Sequence, residues 1–213
     1  GSNTCAAARR VCMRATACLL VLLGAQSASA CSFIVANHNL TAMHSRSELA
    51  DANYFNQRRG PDATNVQMAH GWFFLHNLLT MTGVFMRQPF RSRDHQVVAL
   101  FNGEIYNYRS IAKELEGDEG AFCSDGQALL PAYERWGVDF VKKFEGEFAI
   151  IIVDFRKGVI LLSTDAFSTK PLWHATWKGD AGQPMFMAAS YASVLSELGV
   201  PKGAHTMAEP NEA

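Results

Sequence analysis

The chain has 213 residues, a formal net charge of −1, 48% hydrophobic and 18% charged residues. That is enough apolar material for one domain with a substantial core, in proportions ordinary for a globular protein. The charge balance and the lack of a long Lys/Arg run exclude electrostatic binding of nucleic acid, and no apolar run is long enough to span a bilayer, so no membrane association of the mature protein is expected.

In chain order, Met13 to Ala30 come first and read as a secretory signal peptide: Arg14 as basic start, an apolar run from Leu19 to Leu23, and Ala28-Ser29-Ala30 as a small-residue cleavage site. Residues 1–30 are therefore expected to be a leader, and the mature protein to lie in the secretory pathway or outside the cell. Cleavage after Ala30 makes Cys31 the first residue, with a thiol and a free α-amine on one terminal residue, a compact nucleophile. Ala28-Ser29-Ala30-Cys31 distantly resembles a lipoprotein signal as well, although that signal wants Leu where Ala28 stands. Cys5, Cys12 and Cys18 fall in the leader, leaving Cys31 and Cys123, too few for a disulfide scaffold. The seven histidines show neither HExxH spacing nor an accompanying CxxC, so neither metal nor cofactor is expected.

Ser32 to Ala36 is β-prone and would place Cys31 at the head of a strand. Asn39-Leu40-Thr41 is a glycosylation sequon in the loop that follows. Ser45-Arg46-Ser47-Glu48 looks like a helix start, with Leu49, Ala52 and Phe55 at helical spacing and Gly60-Pro61 as the stop. Strands are expected at Gly71–Leu75 and Gln96–Phe101, a helix over Arg109 to Leu115, and a further helix from Ser124-Asp125 to Gly137. Phe148 to Asp154 reads as a buried central strand with Val159 to Ser163 as its hairpin partner, and Met185 to Ala189 as a last strand. Trp136, Trp173 and the Phe residues from Phe140 to Phe155 are expected in the core, and residues 201–213 as a disordered tail. Strands before, between and after the helices imply an α+β layered domain over 31–200.

Two segments carry candidate chemistry. Arg59-Gly60-Pro61-Asp62 is a tight turn that either ends a helix or lies beside a ligand. In Phe101-Asn102-Gly103-Glu104-Ile105-Tyr106-Asn107-Tyr108 a strand is expected to end in Asn102-Gly103, setting a backbone N–H beside a carboxamide, with Glu104 next. Two neutral donors there suit a developing oxyanion and the carboxylate an ammonium. The plain alternative is an Asn-Gly turn capping the next helix.

These segments, with Cys31-Ser32-Phe33-Ile34, Gln88-Pro89-Phe90, Ser124-Asp125, Tyr133-Glu134-Arg135-Trp136-Gly137, Gly146-Glu147-Phe148-Ala149 and Lys170-Pro171-Leu172, occur in an order that resembles the glutaminase domain of class II glutamine amidotransferases, nearest to the N-terminal half of glutamine-dependent asparagine synthetase. The resemblance runs from Cys31 to about Gly199 and implies the N-terminal-nucleophile hydrolase fold, a four-layer αββα sandwich. It implies Cys31 as nucleophile, Asn102 and Gly103 as oxyanion hole, Glu104 and Asp125 as the ammonium site, and Arg59 among the substrate-binding residues. The substrate expected is a small glutamine-like amide, hydrolysed through a Cys31 thioester.

Three positions depart from the family pattern. Leu78, in His76-Asn77-Leu78-Leu79, stands where the family has an Arg that grips a carboxylate, so either Arg87 or Arg58 substitutes or the substrate is a non-glutamine amide. Thr164-Asp165-Ala166-Phe167-Ser168 replaces Arg-Asp-x-x-Gly, and Tyr191 replaces the Glu after Ala189-Ser190; both are expected at a drifted interface with a partner domain. No pyrophosphate loop follows, so the expectation is a stand-alone amide hydrolase, with any ammonia acceptor a separate partner, or a binding module that kept the fold without the chemistry. Cys123, two residues before Asp125, is a small core thiol or a redox partner that could switch Cys31 off.

Overall fold

The computed structural model describes residues 30–210; the segment up to Ser29, where a signal peptide is expected, lies outside the described residues. Among the described residues, ten strands form two antiparallel sheets. The larger contains β1 (Ser32–Ala36), β2 (Ala63–Ala69), β3 (Trp72–Leu78), β8 (Trp173–Lys178), β9 (Pro184–Ala189) and β10 (His205–Met207), in the order β10-β8-β9-β1-β3-β2. The smaller runs β4 (Phe90–Arg91), β5 (Val97–Ile105), β6 (Gly146–Asp154), β7 (Val159–Thr164). Five α-helices flank them: α1 (Leu40–Met43), α2 (Arg46–Arg59), α3 (Tyr108–Glu116), α4 (Leu129–Trp136) and α5 (Ala192–Glu197).

Strand alternation builds the layers. On β1, Phe33 and Val35 meet Val98, Leu100 and Ile151 between the sheets. Ile34 and Ala36 point the other way, to α5 and Ala52 of α2. On β5, Val97, Ala99 and Phe101 turn outward to α3, α4 and Phe140. Helix, sheet, sheet, helix is the αββα sandwich.

The sequence signals largely hold. Ser45 caps α2 in a capping box, its Oγ accepting from the Glu48 amide at 3.2 Å while Glu48 Oε2 accepts from the Ser45 amide at 2.7 Å. The hairpin of β6 and β7 pairs Asp154 with Val159. Ser124 starts a 3₁₀ turn, Asp125–Ala128, that leads into α4.

Three expectations change, and one edge strand comes without a sequence signal. Phe55 is 65% exposed, because α2 turns Ala52, Asn53, Asn56 and Arg59 inward instead. Strand β2 alternates half-buried and exposed residues at the sheet edge, a pattern too polar to stand out. The tail is ordered through β10, which pairs His205 with Ala175 and so finds its strand partner 30 residues upstream. Asn102-Gly103 is no turn: β5 continues to Ile105, paired with Gly146. Gly103 makes this possible, since its φ of 141° suits glycine and a Cβ there would collide with the Glu147 carbonyl of β6.

Candidate active site

Cys31 sits at the head of β1, a central strand of its sheet, and is 7% exposed. It continues the inward face of Phe33 and Val35, which directs the thiol into the space between the sheets. The thiol is free. It donates to the Leu79 carbonyl at 3.4 Å and accepts from the Leu79 amide at 3.3 Å. Burial pushes its pKa up to about 11; the Leu79 amide and the Arg59 guanidinium pull it down, and Asp125 and Asp62 oppose them. With Ala30 still attached and itself buried, Cys31 is held as a protonated thiol at neutral pH.

On β5, Asn102 continues the inward face of Val98 and Leu100 and is fully buried. Both its carboxamide oxygen and its nitrogen lack a hydrogen-bond partner. That is costly, about 1–3 kcal/mol for each buried group left unsatisfied, and Asn102 itself lines neither of the two cavities that meet at Cys31 and Gly103.

The edge of β5 explains the neighbouring amide. Phe148, opposite Gly103, donates its N–H to Asp165 Oδ2 at 3.0 Å and accepts the Asp165 amide at 2.9 Å, so it exchanges no ladder bonds with Gly103. The Gly103 N–H thus falls on the opposite edge, with those of Phe101 and Ile105. Gln88 Oε1 accepts the first at 2.7 Å and Asp125 Oδ2 the second at 3.0 Å. Between these two side-chain caps the Gly103 amide faces the space it shares with Cys31.

Two cavities meet at Cys31 and Gly103. One, about 30 Å³, is walled by Leu78, Met81, Met86, Phe90 and Asp125. The other, about 260 Å³, is walled by Ala30, Glu104, Tyr106, Glu147 and Lys170. Burial pushes the Asp125 carboxyl above the usual carboxylate range and the Glu104 carboxylate adds repulsion, against bonds from Ile105, Gly126 and Ser124. Cys31, Gly103, Glu104 and Asp125 are therefore brought together.

Arg59 is not at the cavity walls. It is buried, its Nε lacks a partner, and its guanidinium stacks 5.1 Å above the Tyr191 ring. Tyr191 thus packs on the Arg59 side of the Cys31 site. Gly60 follows because β3 passes so close that a Cβ would strike the Asn77 carbonyl. Asp62 then accepts the Thr80 amide at 2.7 Å and ties down the strand end that carries Leu79. Behind β1, Asn77 exchanges hydrogen bonds with Asn53 (2.8 and 3.1 Å), accepts from Thr64 at 2.8 Å and donates to Ser32 at 3.1 Å. This polar stripe of α2 fixes the strand next to Cys31.

Leu78, 6% exposed, does line the smaller cavity, and neither proposed substitute reaches it. Arg58 is bonded to the Tyr54 hydroxyl at 3.1 Å, and Arg87 lies over Phe85. The Cys31–Cys123 disulfide is not formed. Asp165 organises its loop: although burial opposes ionisation, bonds from Thr169, Phe167 and Phe148 hold its carboxyl below the usual range. Ser168 takes a left-handed φ of 49°. Sequence reasoning missed the roles of Leu79, Gln88 and His76. His76 is buried, donates Nε2–H to the Phe101 carbonyl at 3.2 Å and leaves Nδ1 without a partner. Gln88 lay in a quoted motif and His76 and Leu79 in the segment quoted for Leu78, but all three act through backbone groups or across sheets, where no spacing rule applies.

A family model described as a glutamine amidotransferase domain matches residues 31–208, beginning at Cys31 itself. Asparagine synthetase [glutamine-hydrolyzing] 2 of Bacillus subtilis is 30% identical over 145 residues, covering 68% of this chain and 19% of that protein. The rat asparagine synthetase [glutamine-hydrolyzing] is 30% identical over 123 residues, covering 55% and 22%. The chain thus spans about a fifth of the length of these relatives. In fold it is similar to the glutamine phosphoribosylpyrophosphate amidotransferase of B. subtilis complexed with ADP and GMP, with TM-score 0.58, 16% identity, and coverage of 84% of this chain and 45% of that one.

Proposed function

The chain belongs to the class II glutamine amidotransferase domain family, and on that premise we propose that it hydrolyses glutamine or a related amide through a thioester on Cys31, in the secretory pathway or outside the cell, after cleavage between Ala30 and Cys31. The observation that carries this reading is the buried Asn102 carboxamide without partners, followed by the Gly103 amide on an otherwise capped strand edge.

Cleavage does two things at once. It frees the Cys31 α-amine, a base with an ordinary pKa of about 7.7–8 beside a thiol that burial keeps protonated. It also removes Ala30 from the wall of the larger cavity. The amine takes the thiol proton and sulfur attacks the amide carbon. The oxyanion that develops is held by Asn102 and the Gly103 N–H. The carbon–nitrogen bond then breaks, the amine returns its proton to the leaving nitrogen, and ammonia departs. Water adds to the thioester with the amine again as base, the carbon–sulfur bond breaks, and acid and thiol are released. Asp125 and Glu104 hold an ammonium of the substrate, and the ammonia passes to a separate acceptor.

The test is N-terminal sequencing of the secreted protein with an ammonia-release assay before and after processing. A mature start at Cys31 and release confined to the processed form are expected. A start elsewhere, or equal release from both forms, overturns the reading.

A further inference from the structure

The walls around Cys31 are unusual in charge. The smaller cavity is apolar on the side of Leu78, Met81, Val84, Met86 and Phe90, and its single charged side chain is Asp125. The larger cavity carries Glu104, Glu147 and Lys170, and the Lys170 ammonium is already bound to Glu147 at 3.0 Å. Together the walls hold three carboxylates and one ammonium, and that ammonium is committed. Arg59, which acts on the thiol electrostatically, lines neither cavity and lies against Tyr191. A ligand carboxylate placed here would be desolvated against methionine, leucine and phenylalanine, or set beside like charge. A ligand ammonium would meet Asp125 on one side of Cys31 and Glu104 on the other.

We propose that the site selects primary amides that carry an ammonium group and no carboxylate, with Asp125 and Glu104 as the ammonium partners and Leu78 as the residue that excludes a carboxylate. This rests on the amide-hydrolase reading above and narrows its substrate class. For 4-aminobutanamide, which is glutamine without its α-carboxylate, the reaction consumes one water and gives 4-aminobutanoate and ammonia.

Both cavities exist with Ala30 in place, so affinity is measured on the full chain carrying Cys31→Ala, by calorimetry with glutamine, 4-aminobutanamide and uncharged butanamide. The expected result is that 4-aminobutanamide binds about tenfold or more tighter than glutamine, as loss or gain of one charge-assisted pair implies. Leu78→Arg brings glutamine level with or ahead of 4-aminobutanamide. Glu104→Gln, at a half-exposed position that burdens folding less, removes the advantage of 4-aminobutanamide over butanamide. Glutamine binding as tightly as 4-aminobutanamide overturns the selectivity, as does failure of 4-aminobutanamide to bind. Ammonia release by the processed protein, run in parallel, separates the two claims. Faster release from glutamine refutes the selectivity and leaves the hydrolase. Preferential binding of 4-aminobutanamide with no release from any amide supports the selectivity and removes the hydrolase.

Discussion

The middle of the inter-sheet layer and its end are built from the same strands, one pleat apart, and they treat polar atoms in opposite ways. In the middle, Phe33, Val35, Phe74, Leu100 and Ile151 interlock with no polar side chain among them. At the end, the same faces of β1, β3 and β5 carry Cys31, His76 and Asn102, and His76 Nδ1 and both polar atoms of the Asn102 carboxamide lack partners. Apolar packing tolerates many arrangements and contributes stability in proportion to area; an unsatisfied donor or acceptor costs stability and has value only to something that binds it. The first region holds the second in a geometry it would not adopt alone.

Substitution should separate the two. Leu100→Ala, at a fully buried position, is expected to lower stability by about 2–5 kcal/mol in urea melts, with ammonia release per folded molecule unchanged. Asn102→Ala should do the reverse: a fall of about 10²–10³ in rate with stability held or raised, because a buried unsatisfied amide is removed. An Asn102→Ala protein that unfolds, or that keeps its rate, would erase the contrast. His76 sharpens it from the acid side. Burial lowers its pKa from 6.5 to about 4, so the folded state keeps it neutral while the unfolded chain protonates. The contribution is therefore full above pH 6.5 and lost as pH falls toward 4, about 3 kcal/mol at most. His76→Gln should flatten that part of the stability–pH curve; an unaltered curve would place the acid sensitivity elsewhere. The smallest effect lies outside both regions. Ser168→Gly relieves a left-handed backbone at φ 49° and should raise stability by about 0.5–1 kcal/mol, read as a small rise in melting temperature with no change in rate.

Much of the architecture was legible because its signals are local. The Ser45–Glu48 capping box, the apolar run of β6 and the β6–β7 hairpin each depend on residues a few positions apart. Cys31, Asn102, Gly103, Glu104 and Asp125 were named from residue type and ordered motifs. Arg59 was named with them, yet it lies behind the site, stacked on Tyr191, a contact spanning 132 positions that no local pattern encodes. The polar inner stripe of α2 was illegible for a similar reason: Asn53 and Asn56 look like surface residues until Asn77 and Ser32 arrive from other strands.

The sequence by itself determined the elements, the order of the motifs and the chemical types at the site, since capping, alternation and backbone freedom are properties of neighbouring residues. Tertiary structure alone decided that β5 runs through Asn102-Gly103, because its edge is capped by Gln88 from 13 residues away and Asp125 from 20. It also decided that the walls around Cys31 carry more carboxylate than cation. Burial, charge balance and unsatisfied hydrogen bonds belong to the space between chain segments, and that space exists only once the two sheets have closed.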